Sequence, residues 1–155
     1  QDAGYPLKNA TEDRIKLFPE YENLIQMYYG RWEEMLGGAI ENSVLILKKI
    51  VRSTNYKVIA LTNWSAETFP IALKRYDFLH WFEGIVVSGT EKTRKPFKKI
   101  YYLTLERYNL KAANSLFIDD NERNIFAAKE IGINTIKFNN PSQLENDLKL
   151  LGIIK

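Results

Sequence analysis

Residues 117–125, Phe117-Ile118-Asp119-Asp120-Asn121-Glu122-Arg123-Asn124-Ile125 (FIDDNERNI), decide how the chain is read. The apolar run Leu116-Phe117-Ile118 delivers two consecutive carboxylates, and no basic residue follows until Arg123. Three apolar residues are too few for a helix and fit the end of a buried strand. Two carboxylates ~5 Å apart repel by roughly 3 kcal/mol at an effective dielectric near 20. The chain therefore has a reason to spend them, either on a cation or on capping the helix that follows.

Working outward, the pattern alternates. Residues 122–131 read as a helix stopped by Gly132, a good residue just past a helix end. Residues 135–138 read as a strand and 142–151 as a helix introduced by Pro141. On the other side, 43–51 read as a helix, 56–61 (YKVIAL) as a strand, 67–78 as a helix and 84–87 (GIVV) as a strand. Residues 96–108 read as a helix with Pro96 in its first turn, where proline is tolerated. Short apolar strands separated by helices imply an α/β fold, a Rossmann-like parallel sheet covered on both faces. Residues 1–40 differ. They show helical spacing only, at Ile15, Leu17, Phe18, Leu24, Ile25, Tyr28 and Trp32, after a capping region at residues 9–13. Gly37-Gly38 ends that block, so the chain divides into a helical part, 1–40, and an α/β part, 41–155.

Composition narrows the function. Of 155 residues, 45% are hydrophobic, enough for a real core, and the net charge is only +3. The densest basic run, residues 92–99, holds five Lys or Arg but forms no stripe, so no nucleic-acid partner is expected. No apolar segment approaches the ~20 residues of a membrane span, and no signal-peptide pattern occurs. The absence of cysteine removes disulfides and thiolate metal sites and fits a cytoplasmic protein.

In a parallel α/β sheet, ligands bind beyond the carboxyl ends of the strands. Thr62-Asn63 follows the first predicted strand, Ser88-Gly89-Thr90 and then Lys95-Pro96 the second, and Asp119-Asp120 the third. A hydroxyl, an ammonium and two carboxylates thus share one edge. The acids would hold Mg²⁺, a hard cation that prefers oxygen, and Lys95 with Thr62 would neutralise and bind a phosphoryl group. Singly, each has a plainer explanation: a helix cap, a turn or a solvated charge. Their conjunction at successive strand ends favours the site. His80, the sole histidine, lies in the aromatic run FLHWF and reads as packing, as do Tyr28, Tyr29 and Trp32.

The order Thr, Lys, acid pair is the reverse of a phosphorylatable receiver domain, where the acids come first. It resembles the haloacid dehalogenase-like hydrolase superfamily. LTNWS resembles that family's second motif, SGTEKTRKPFKKIY its third (with Phe97 where Asp is usual) and FIDDNERNIFAAKEIGINTIKF its fourth. The resemblance covers residue 41 onward, and residues 1–40 look like a partial helical cap. It implies phosphate contacts from Thr62 and Asn63, charge stabilisation by Lys95, and Mg²⁺ at Asp119 and Asp120, with Asp120 a direct ligand and Asp119 acting directly, through water or by orienting Lys95. The acid pair favours a Mg²⁺-dependent phosphatase of small phosphorylated metabolites over a metal-independent 2-haloacid dehalogenase, which resembles Ser-Asn at this point. Sugar phosphates are the default substrates by resemblance, chosen by the cap, where the aromatics and Arg31 are candidates.

The family's first motif, DxDx(T/V), which carries the nucleophile, does not occur in the sequence; Asp2 and Asp13 lie in no such context. The resemblance therefore implies a nucleophile upstream of Gln1 and no turnover by these residues alone. It also implies that the first core strand is missing from between the strands ending at Thr62 and Asp120. Exposed sheet edges would then favour self-association. The alternative is a non-catalytic binding or interaction domain that keeps the fold.

Overall fold

A computed structural model describes residues 1–53 and 55–155. Its strands are β1 (Ile59–Thr62), β2 (Gly84–Val87), β3 (Leu116–Asp119) and β4 (Asn134–Lys137). The helices are α1 (Leu7–Leu17), α2 (Glu22–Gly30), α3 (Glu41–Arg52), α4 (Phe69–Arg75), α5 (Ser88–Glu91), α6 (Lys98–Arg107), α7 (Glu122–Lys129) and α8 (Pro141–Leu150). Short 3₁₀ turns occur at Pro19–Tyr21, Trp32–Met35, Asp77–Trp81 and Ala112–Asn114.

The strands form two parallel pairs, β1 with β2 and β3 with β4. Parallel pairing needs a crossover, and α4 and α7 supply it. Register runs from Ile59 opposite Gly84 to Thr62 opposite Val87, and from Leu116 opposite Asn134 to Asp119 opposite Lys137. Thr62 and Asp119 therefore both stand at carboxyl ends. Among the described residues, β1 and β3 each keep one edge outside any ladder.

Strand alternation explains the layers. Phe117 packs with Val86, Ile100, Tyr101, Ala127, Ala128 and Ile133. Its neighbours Leu116 and Ile118 pack instead with Ile46, Ile136, Leu144 and Leu148. Successive strand side chains face opposite sides, so α6 and α7 cover one face and α3 and α8 the other.

The helical part behaves differently. In α1 and α2 only Ala10 is buried. This region is tied to the segment after β1: the Leu7 N–H donates to Glu67 Oε1 at 2.7 Å, Arg75 Nη1 donates to the Glu33 carbonyl at 3.2 Å, and the Tyr76 hydroxyl donates to the Gly37 carbonyl. Among the described residues no helix is long and apolar enough to cross a membrane.

Several boundaries differ from the sequence expectation. α1 starts at Leu7 behind Pro6, so the expected capping cluster lies inside the helix, where Thr11 Oγ1 donates back to the Leu7 carbonyl at 2.9 Å. The helix expected over 67–78 stops at Arg75 and gives way to the Asp77–Trp81 turn. His80 closes that end, its Nε2 lying 3.0 Å from the Leu73 carbonyl oxygen. Pro96 precedes α6 instead of joining its first turn; it follows a cis peptide bond after Lys95.

Candidate active site

The carboxyl ends of β1 and β3 meet at one ammonium. Lys95 Nζ donates to Asp119 Oδ2 at 2.6 Å and to the Leu61 carbonyl oxygen at 2.8 Å. Lys95 and Asp119 are 9% and 8% exposed. A buried ion pair is tolerable only when the remaining polar valences are met. The carboxylate's are met: Asp119 Oδ1 accepts the Asn121 N–H at 2.8 Å and Asn124 Nδ2 at 2.9 Å. The ammonium also lies 5.4 Å from the centroid of the Phe117 ring.

Asn63 fixes where Lys95 stands. Its Oδ1 accepts the Lys95 N–H at 2.8 Å and its Nδ2 donates to the Lys95 carbonyl at 2.9 Å. Both ends of one carboxamide therefore grip both polar groups of one residue's backbone. The side chain that sequence reasoning assigned to phosphate is engaged in placing the lysine.

Ser88 and Gly89 join the loops after β1 and β2. Ser88 Oγ accepts the Trp64 N–H at 2.9 Å, and the Gly89 N–H donates to the Trp64 carbonyl at 3.0 Å. A Cβ on Gly89 would lie 2.8 Å from that carbonyl oxygen, so glycine is needed for the approach. Beside this junction Thr62 is half-buried, and its hydroxyl makes no hydrogen bond among the described residues. It remains available to a ligand.

The two acids have separated roles. The N-cap of α7 is Asn121, whose Oδ1 accepts the Arg123 N–H at 3.0 Å, so neither aspartate is that helix's cap. Asp119 is buried and accepts hydrogen bonds on both oxygens. Asp120 is exposed and its carboxylate accepts none among the described residues. This donor set fits Mg²⁺, which is commonly held by one or two carboxylates together with water and phosphate oxygens. Among the described residues no group of three or more acidic or histidine side chains gathers as a closed cage.

Asn124 and Tyr101 complete the site and were not singled out in the sequence. Tyr101 is 1% exposed and its hydroxyl donates to the Asn124 carbonyl at 2.9 Å. Burial pushes its phenol far above the ordinary tyrosine range, and the Asp119 charge adds to the shift. Asn124 could have been found: it lies in the first turn of the helix that leaves the acid pair. Tyr101 carries no such signal.

The helical part brings its aromatics to the same edge. Trp32 meets Trp64 edge to face with ring centroids 5.8 Å apart, and Trp64 meets Phe69 at 5.7 Å. Tyr28, Tyr29 and Trp32, read from sequence as packing, line a cavity with Asn63 and Trp64. Arg31 does not join them; it pairs with Glu34 on the surface.

A family model described as haloacid dehalogenase-like hydrolase matches residues 6–138. The chain is 31% identical over 106 residues to acyl-CoA dehydrogenase family member 10 of Mus musculus, covering 65% of this chain and 9% of that protein. It is 30% identical over 88 residues to the phosphorylated carbohydrates phosphatase of Thermotoga maritima, covering 57% of this chain and 41% of that one. A mutant HAD family enzyme of Bacteroides thetaiotaomicron, solved with magnesium and inorganic phosphate, superposes with a TM-score of 0.73 at 21% identity, over 93% of this chain and 77% of that chain. A dehalogenase structure superposes with a TM-score of 0.68 at 19% identity, over 82% of this chain and 63% of that chain. The chain spans less than half the length of the curated relatives named.

Proposed function

Because the chain belongs to the haloacid dehalogenase-like hydrolases, we propose that it carries the phosphoryl-binding and charge-stabilising part of a Mg²⁺-dependent phosphatase of small phosphorylated metabolites. The observation that carries this reading is the buried Lys95–Asp119 pair set beside a free Thr62 hydroxyl and an open Asp120 carboxylate. The Thr62 hydroxyl binds a phosphoryl oxygen. Lys95, immobilised by Asn63 and Asp119, offers positive charge where negative charge develops, and it costs no reorganisation when the reaction occurs. Asp120, with Asp119 behind it, would hold Mg²⁺, which when bound neutralises the phosphoryl group. α1 and α2 serve as the cap that chooses the ester's alcohol. The phosphatase relatives of Thermotoga maritima and, at 26% identity over 89 residues, Pyrococcus abyssi support this over dehalogenation.

The sequence contains no DxDx(T/V) motif. Phosphate-monoester hydrolysis demands up to ~10²¹-fold acceleration, and oriented charge alone does not replace a nucleophile. The residues described therefore account for phosphoryl binding and not for turnover. Isothermal titration calorimetry with inorganic phosphate, with and without Mg²⁺, tests the site. Binding should strengthen with Mg²⁺, and Asp120→Asn should weaken the Mg²⁺-dependent part by about tenfold or more. Absence of phosphate binding would hand the reading to a non-catalytic interaction domain. Turnover of p-nitrophenyl phosphate by the pure chain would overturn that division of labour.

A further inference from the structure

The groove between α3 and α8 is a second cavity, about 470 Å³ in volume, and none of Thr62, Lys95, Asp119 and Asp120 lines it. That volume falls within the ~300–1,000 Å³ of small-ligand pockets. Part of its wall is apolar and fixed. Ile46 is buried and packs with Leu144 and Leu148 in the core beneath the two helices. Leu45, beside it in sequence, is 54% exposed and lends the groove apolar surface, and Pro141 adds more from α8.

The rest of the wall is cationic. Lys48, Lys49 and Arg52 line the groove from α3, and Glu145 is the one carboxylate in the lining among the described residues. Three cations against one carboxylate leave a formal charge of +2, and neither chain end is part of the lining. Glu145 is already neutralised from two sides, by Lys49 Nζ at 2.6 Å and Lys149 Nζ at 3.5 Å. Lys48 Nζ lies 5.9 Å from the centroid of the Trp81 ring. Among the described residues, neither Lys48 nor Arg52 meets a carboxylate. They stand four positions apart on one helix, where like charges repel and where two side chains can reach one group.

The start of α8 adds to this field. Asn140 caps the helix by accepting the Gln143 N–H at 2.9 Å, while the Ser142 N–H finds no acceptor among the described residues. A helix start carries partial positive charge. A bare inorganic anion would leave the apolar wall unused. A neutral apolar molecule would leave two cations unmatched.

We propose that this groove is a second small-molecule site, one for a dianion with an apolar body, such as an organic phosphate or phosphonate. Lys48 and Arg52 take the charged end, and Leu45, Ile46 and Pro141 take the body. The inference stands apart from the phosphatase reading. Backbone amide NMR on the full chain would compare phenylphosphonate, whose P–C bond resists hydrolysis, with inorganic phosphate and benzyl alcohol. Phenylphosphonate should shift the Lys49, Arg52 and Ser142 amides, with half-saturation at about tenfold lower concentration than inorganic phosphate. Benzyl alcohol should leave those amides in place. Arg52→Gln, at an exposed position, should weaken the groove response by several-fold and leave the Thr62 amide response to inorganic phosphate unchanged. Phenylphosphonate shifts confined to Thr62 and Asn63 overturn the inference. Equal half-saturation by phenylphosphonate and inorganic phosphate also overturns it, since surface charge alone would then account for the response. Groove shifts in a chain whose Thr62 amide never responds to phosphate support the second site and overturn the phosphoryl reading.

Discussion

Helices α2 and α7 are of similar length, nine and eight residues, but they live in different surroundings. α2 buries no residue and leaves Leu24, Met27 and Tyr28 exposed. α7 buries Asn124, Ile125, Ala127 and Ala128 against β3 and the helix beside it. The difference lies less in helix chemistry than in what each helix can cover. A strand pair offers α7 a flat apolar face, whereas α2 rests on another small helix and a loop. Most helical stability in proteins comes from such packing, not from propensity. Stability should therefore concentrate in residues 41–155.

The sharpest way to break this contrast uses charge. Lys95→Ala strands the Asp119 carboxylate in the interior and should cost about 3–5 kcal/mol, read by urea denaturation. Arg31→Ala removes an equally short-range pair from the surface, with partners 56% and 60% exposed, and should leave the midpoint unchanged. Equal losses from the two would refute the division. Apolar truncation should follow the same order at smaller amplitude. Ile100 is fully buried, and Ile100→Ala should cost about 2–5 kcal/mol. Leu24 is 62% exposed, and Leu24→Ala should stay within about 0.5 kcal/mol.

The smallest effect is in pH. The Tyr101 phenol is held above its ordinary range by burial and then by Asp119, so the folded state keeps a proton that the unfolded chain loses near pH ~10. Its stabilising contribution is complete below that pH and is lost as pH rises toward the folded value. Melting temperature should therefore fall between about pH 9 and pH 11, and Tyr101→Phe should flatten part of that slope. An unaltered slope would show that the phenol ionises equally in both states.

Much of the sheet was legible because its signals are local. Residues 84–87 read as a strand and form β2 with those bounds, and the β3 and β4 readings fall within one residue at each end. Short apolar runs flanked by breakers and helical periodicity fix such elements. The order of Thr62, Lys95 and the acid pair was legible for the same reason, as was the gathering of Lys95 with Asp119. The separate duties of Asp119 and Asp120 were not, because adjacent residues on a strand end point apart and only one is buried. Asn63 was assigned to phosphate, and its hold on the Lys95 backbone was not legible, because that partner lies 32 positions away. The aromatics of α2 looked like packing because helical periodicity marks a face without saying what meets it.

The Asn63 carboxamide matches Lys95's backbone as one nucleobase edge matches another, donor to acceptor and acceptor to donor. Recognition of that kind is indifferent to the lysine side chain it carries. A protein engineer could replace the ammonium at position 95 by another group and still have it presented at the same spot. Moving the lysine to another scaffold without its asparagine would transfer the charge and lose the address.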